Sequence, residues 1–204
     1  MLKRISLIFS ICFHPLLMPT LGIVLILYAD SYVAFIPMNA KKWLIILTSI
    51  GTLILPAVMM PVFLLQGKIS DFQLDERRER ILPLIFTSIF YLLTFLLFKK
   101  IPVFRFLHAF IFGSFVLVLI ASLISIKWKI STHMIGLGGI TGLVLMASFT
   151  LDINFIYALI GIIIAAGLTG SSRIYLKAHN LKQVYSGYAL GLIIMMLNLM
   201  VYVR

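Results

Sequence analysis

INFIYALIGIIIAAGLTGSSRIYLKAHNLKQVYSGYALGLIIMMLNLMVYV, residues 153–203, reads as two apolar runs, 153–170 and 184–203, on either side of a polar island, SRIYLKAHNLKQ, from Ser172 to Gln183. Each run approaches the roughly 20 apolar residues that a helix needs to cross about 30 Å of hydrocarbon. Lipid offers the island's charges no partners, so these residues must stand in water or line a protein cavity. Two crossing helices joined by a polar connection at one membrane face are therefore the unit of the fold.

The rest of the chain is made of the same parts. Further apolar runs fall at about 7–29, 43–65, 81–98, 104–126 and 134–150, which makes seven crossings if every run spans. The run 134–150 is Gly-rich and meets 153–170 across a very short turn at Leu151-Asp152, and His14-Pro15 and Pro19 interrupt the first run. Six spans plus one kinked or interfacial piece is the other reading. The expected architecture is an all-α, polytopic transmembrane helical bundle forming one domain, residues 1–204.

Composition agrees. Of 204 residues, 62% are hydrophobic and only 11% charged, and the mean hydropathy is +1.15, which excludes a soluble domain with a polar surface. The N-terminal MLKRISLIFSICF resembles the start of a signal peptide, but no small-x-small cleavage site follows, so it reads as an uncleaved first segment. The net charge of +11 resides in the gaps between apolar runs, where cations meet headgroups; anionic lipid or phosphate is the implied partner, not nucleic acid. A single Cys12 excludes an intrachain disulfide and a cysteine-based metal site. A channel or transporter finds no support, because Asp30 and Asp152 lie at predicted helix ends and no filter-like segment is present.

The gaps 68–80, 127–133 and 171–183 are separated by even numbers of crossings, so all three emerge on one side of the membrane. In the third gap, Arg173 offers a planar fork for phosphate oxygens, His179 a nucleophile or acid/base, and Gln183, four residues on, a partner that sets the imidazole tautomer. The same composition also suits a solvated basic loop. The first gap reads QLDERRERILP from Gln73 to Pro83; Glu76 and Arg80 suit an i,i+4 pair on a surface helix, while Arg77, Arg78 and Arg80 together suit a phosphate clamp. In the second, KWKISTHMIGLGG, Ser131 and Thr132 can cap a helix starting near His133 and leave its N–H groups to an anion. Lys177 and Lys182 read as headgroup contacts, His108 as a structural residue near the opposite face, and His14 as a residue able to approach the pocket. Gly138/Gly142 and Gly187/Gly191 are small-xxx-small pairs that permit close helix contact, within the bundle or across a homodimer.

Arg80, then Ser131-x-His133, then Ser172-Arg173-x5-His179 resembles the three-part signature of the type 2 phosphatidic acid phosphatase (PAP2) family, which includes membrane lipid phosphatases and haloperoxidases. The family pattern is KxxxxxxRP, PSGH and SRxxxxxHxxxD. The third part is well matched, the second half matched and the first degraded, and the likeness covers about residues 70–200. It implies a haloperoxidase-like helical core and hydrolysis of a lipid phosphate or pyrophosphate without metal or cofactor. His179 would attack phosphorus and carry the phosphoryl group, and His133 would protonate the leaving oxygen. Arg80 and Arg173, with Arg77, Ser131 and Ser172, would hold the phosphate oxygens, and a bell-shaped pH profile is expected. The resemblance also implies a plasma (inner) membrane protein with its site on the outer, periplasmic face.

The departures are specific. Gln73 stands at the position of the Lys, Ile81 at that of the first Pro, and Ile130 and Thr132 replace the Pro and Gly of the second part. Gln183 stands where the family has Asp; an amide can fix the imidazole tautomer but cannot stabilise an imidazolium by charge. Asp75 or Glu76 is a substitute carboxylate within reach in sequence. The alternative function is a weak or inactive relative that binds or moves phospholipid.

Overall fold

In the computed structural model, which describes residues 2–29, 35–72, 74 and 76–203, the apolar runs are helices and no strand occurs among the described residues. Seven helical stretches are long and apolar enough to cross a membrane: Leu2–Leu27, Met38–Leu65, Arg78–Phe98, Arg105–Ser125, Thr132–Thr150, Ile156–Tyr175 and Leu181–Val203. The protein is a polytopic helical bundle.

Five stretches carry one long helix each: α5 (Ile81–Phe98), α6 (Arg105–Ser125), α7 (Thr132–Thr150), α8 (Ile156–Tyr175) and α9 (Leu181–Val203). The first two are interrupted where the sequence places proline. Proline disfavours the helical conformation in the residue before it, and His14 accordingly has extended backbone at φ −64, ψ 137. The first run thus becomes α1 (Leu2–Cys12), a 3-10 turn at Pro15–Leu17, and α2 (Met18–Leu27). The second consists of α3 (Met38–Ser49), a π-helical turn at Ile50–Ile54 and α4 (Leu55–Leu65), which contains Pro56 and Pro61. Pro61 has no N–H for the Ala57 carbonyl one turn earlier, so this helix lacks a rung there.

Several polar side chains inside the spans are satisfied within their own helices, whereas the buried Thr169 hydroxyl has no partner among the described residues. Thr48, Thr87, Thr94, Ser114, Ser125 and Thr141 each donate to the carbonyl four residues back, at 2.7–2.9 Å. Large apolar side chains such as Ile85, Ile89 and Leu93 on α5 and Ile160, Ile163 and Ile164 on α8 face outward, as a lipid solvent requires. His108 has Nε2 2.8 Å from the Phe98 carbonyl and ties α6 to the end of α5, the structural role expected of it.

The bundle is organised around α7, the most enclosed of the spans. A Cβ at Gly138 would lie 2.1 Å from the Tyr188 carbonyl oxygen, and one at Gly191 would lie 2.1 Å from that of Ile135. Only glycine lets the α7 and α9 backbones approach so closely. Both small-xxx-small pairs are therefore spent inside the bundle. On its other side α7 meets α2, where a Cβ at Gly136 would stand 2.7 Å from Met18, and α1 packs along α8 with Ser6 and Ser10 buried. This contact brings the end of α1 to the start of α7.

Candidate active site

The three polar gaps converge at one end of the bundle. Arg80, 5% exposed, donates through Nε to the Leu74 carbonyl (2.8 Å) and through Nη1 to that of Ile130 (3.4 Å). The same Nη1 stands 3.4 Å from His179 Nε2, so one guanidinium joins all three gaps. Ser131 N–H donates to the Gln183 carbonyl at 3.4 Å, and Arg77 Nη1 donates to the Lys127 carbonyl. The predicted Glu76–Arg80 surface pair does not govern this gap, because Arg80 turns inward.

The residues of the third gap are placed by helix ends. The C-terminal turn of α8 continues through Ser172 and Arg173 to Tyr175, where a cation is favoured by the dipole; both residues belong to the helix and not to the connection. At the start of α9, Asn180 Oδ1 accepts from Gln183 N–H (3.0 Å) and Gln183 Oε1 accepts from Asn180 N–H (3.2 Å), the reciprocal bonds of a capping box. A backbone N–H can only donate, so the Gln183 atom facing it is the oxygen. That oxygen also lies 3.0 Å from His179 Nδ1. Nδ1 therefore holds the proton and Nε2 the lone pair. His179 precedes the helix and is not on its face, yet the expected contact with Gln183 forms.

Burial, above all, and then the Arg80 guanidinium push the His179 imidazole down to about 3; Arg173 and Lys129 act in the same direction, and the bond to Gln183 opposes them. At any physiological pH His179 is a neutral imidazole whose Nε2 lone pair faces the Arg80 guanidinium. That is the state a nucleophile toward phosphorus requires.

His133 is the second residue of α7 and is 8% exposed. Its Nε2 lies 3.1 Å from the carbonyl oxygen of Ser10. In an unbroken helix this carbonyl would accept from His14 N–H, but at the proline break that N–H turns to Ile11 (3.2 Å) and the Ser10 oxygen is left for the imidazole. A carbonyl accepts only, so Nε2 is the donor. The nitrogen left to serve a substrate oxygen is Nδ1. His14 itself lies edge-on to His133, with ring centroids 5.4 Å apart and planes at 81°. His133 and His179 both belong to this end of the bundle, His133 on the cavity wall and His179 beside Arg80.

A cavity of about 1170 Å³ opens at this end and is larger than most small-molecule sites. Its polar wall holds Lys3, Arg80, Lys129, Arg173 and Lys177, with His14, His133 and Thr132. Among the described residues lining it there are five cations and no carboxylate. The remaining wall is apolar, including Met60, Pro61, Leu84, Phe110, Leu117, Val118 and Met195. The walls reach from Arg80 to Tyr91 along α5; at 1.5 Å per residue that is about 16 Å, roughly one leaflet of the ~30 Å hydrocarbon core.

The predicted site residues thus divide. Arg80, Arg173 and His133 line the cavity, and His179 stands behind Arg80 with Gln183 holding it. Ser131 is the N-cap residue of α7, but its side chain makes no capping bond; its hydroxyl is fully buried and has no partner among the described residues. Ser172 is buried beside Arg173. Arg77 is exposed and lies outside the cavity wall, holding the Lys127 carbonyl. Gln73 and Asp75 lie outside the described residues, and Glu76 is exposed. Lys3, Lys129 and the Ser10 carbonyl were not foreseen. Of these, only Lys129, within the KWKIS stretch before His133, carried a sequence signal. Comparison of the chain with family models, with curated proteins and with solved structures returns no match.

Proposed function

We propose that the protein is an integral membrane phosphatase acting on a lipid phosphate or pyrophosphate through a phosphohistidine. The observation that supports this best is a neutral imidazole with its Nε2 lone pair toward Arg80 Nη1, one side chain behind the wall of a cavity edged by five cations and no described carboxylate. Such a cavity calls for an anion, and its apolar floor suits one hydrocarbon chain. The His179 Nε2 pair forms a bond to phosphorus as the bond to the lipid oxygen breaks. His133 enters the step as an imidazolium, with Nε2–H on the Ser10 carbonyl, and gives its Nδ1 proton to the lipid oxygen. Water then gives its proton to His133 and attacks phosphorus, and the N–P bond breaks to release inorganic phosphate and return the pair to His179. Arg80, Arg173, Lys129 and the Ser131 hydroxyl offset the charge of the transferring group. Phosphoryl transfer asks little more of a protein than this positioning and charge.

The test is phosphate release from a panel of polyprenyl, phosphatidyl and lipid A phosphates and pyrophosphates. Wild type hydrolyses at least one, and His179→Ala hydrolyses none; full activity in the variant refutes the reading. A second reading, phospholipid binding or movement without turnover, draws on Gln183, an amide where a carboxylate would strengthen the nucleophile. It predicts headgroup binding that depends on Arg80 and Arg173 and no hydrolysis of any ester.

The reading includes a plasma (inner) membrane location with the cavity facing outward. The site end holds many Lys and Arg, which the positive-inside rule would put in the cytoplasm. Cations recruited by a phosphate do not report insertion in that way. With seven crossings, a reporter fused after Arg204 stays inside; its appearance outside contradicts this orientation.

A further inference from the structure

We infer that His14 is a phosphate ligand of this cavity: a neutral imidazole that donates its Nε2–H to an oxygen of the bound phosphate. This deepens the reading of the cavity as a phosphate site and rests on it. Pro15 holds His14 in extended backbone, which ends α1 and carries the ring to the cavity wall. Leu16 N–H then donates to His14 Nδ1 at 3.4 Å, capping the 3-10 turn. Because Nδ1 accepts, the neutral ring carries its proton on Nε2. That Nε2–H has no hydrogen-bond acceptor among the described residues, although the ring shares the wall with Arg80, Arg173 and Lys129. No hydrogen bond joins it to His133, whose ring lies edge-on with centroids 5.4 Å apart.

A capping role alone would use only Nδ1 and would not require the ring to stand on the wall of a cationic cavity. Polar hydrogens inside proteins find acceptors, and the acceptor that this wall is built to receive is an anion. The guanidinium groups and Lys129 supply charge, while His14 supplies a directional N–H of fixed tautomer that does not have to lose a proton. The recognised chemistry is a phosphate dianion or monoester, whether free or on a lipid headgroup.

The experiment measures binding of two probes, inorganic phosphate and a short-chain phosphatidic acid, to the full chain in detergent, for wild type, His14→Phe and His14→Gln. Phe removes the donor, and the Gln amide places an N–H near the position of Nε2. Loss of one hydrogen bond to a charged group predicts Kd roughly tenfold to a hundredfold weaker in H14F for both probes, with H14Q within about threefold of wild type on the same scale. If only the lipid probe weakens, the ligand is a headgroup and not free phosphate; the role of His14 stands. Unchanged Kd in H14F, equal loss in H14F and H14Q, or no binding of either probe to wild type overturns the inference. Should H14F fail to fold, diethyl pyrocarbonate labelling of wild-type His14 decides: saturating phosphate blocks it if the inference holds, and leaves it undiminished if not. The two readings fail separately. Binding that depends on His14 without hydrolysis of any ester removes the phosphatase and keeps the ligand. Hydrolysis by wild type with unchanged H14F binding does the reverse.

Discussion

Replacing Pro15 with Ala tests whether the broken first helix is part of the proposed catalytic apparatus. Alanine restores an N–H at position 15 and lifts the restriction that keeps His14 extended. The helix that starts at Leu2 can then run on past position 15, favoured by the large difference in helix propensity between Ala and Pro, about 3 kcal/mol in a helix interior, although Pro19 still has no N–H for the carbonyl of residue 15. In that helix the Ser10 carbonyl accepts from His14 N–H, a bond now diverted to Ile11, and the 3.1 Å contact with His133 Nε2 is lost. A hydrogen bond to a charged group contributes about 1.5–3 kcal/mol. If His133 is cationic as it delivers its proton, kcat falls by roughly ten- to a hundredfold at 1.36 kcal/mol per decade. The assay is phosphate release by P15A, H133A and the double variant. Both substitutions remove one interaction, so P15A adds little on the H133A background, as a double-mutant cycle requires. A P15A protein within twofold of wild type, or an effect that adds in full to H133A, refutes the reasoning.

Gln183→Glu keeps both hydrogen-bonding roles of the side chain, in the α9 cap and at His179 Nδ1, and adds a charge; kcat for lipid phosphate release rises about tenfold, given roughly 1.5 kcal/mol for the stronger bond, and a fall in kcat contradicts the assigned role. The His179 ring, held down to about 3, stays neutral as pH is lowered from 8 to 5; its NMR resonances do not titrate in that window, and a midpoint near 6.5 would contradict the cationic surroundings described. The bell-shaped profile expected from sequence therefore has no acid limb from His179 in this range. Gly191→Ala places a Cβ 2.1 Å from the Ile135 carbonyl oxygen and forces α7 and α9 apart, lowering stability by about 1–3 kcal/mol, whereas Gly167→Ala, with nothing within 4 Å, leaves thermal unfolding in detergent unchanged.

The seven spans and the shared side of the three gaps were legible because hydrocarbon imposes length and polarity so severely. The His179–Gln183 contact was legible too, though for a reason partly missed: Asn180-x-x-Gln183 is a helix-start pattern, and the cap fixes the amide that in turn fixes the imidazole. The sequence alone puts Ser172 and Arg173 in a connection because the apolar run stops before them, yet a cation near a helix C-terminus is favourable and both belong to α8. Arg77 and Arg80 could not be told apart in sequence; burial against Ile130 and His179 selects one, and the other reaches only the Lys127 backbone. The break at His14-Pro15 was visible, but not its consequence. The group it frees is the Ser10 carbonyl, a backbone atom that no residue type announces, and its partner lies 123 residues away.

His179 Nε2 is the atom proposed to bond to phosphorus. The direct measurement is to incubate the protein with a radiolabelled lipid phosphate, quench, digest with trypsin, and read label on the peptide Ala178–Lys182. The account predicts label on that peptide in wild type, at His179, and none in His179→Ala. Turnover with no label on this peptide, or label found at His133 or His14 instead, would contradict it.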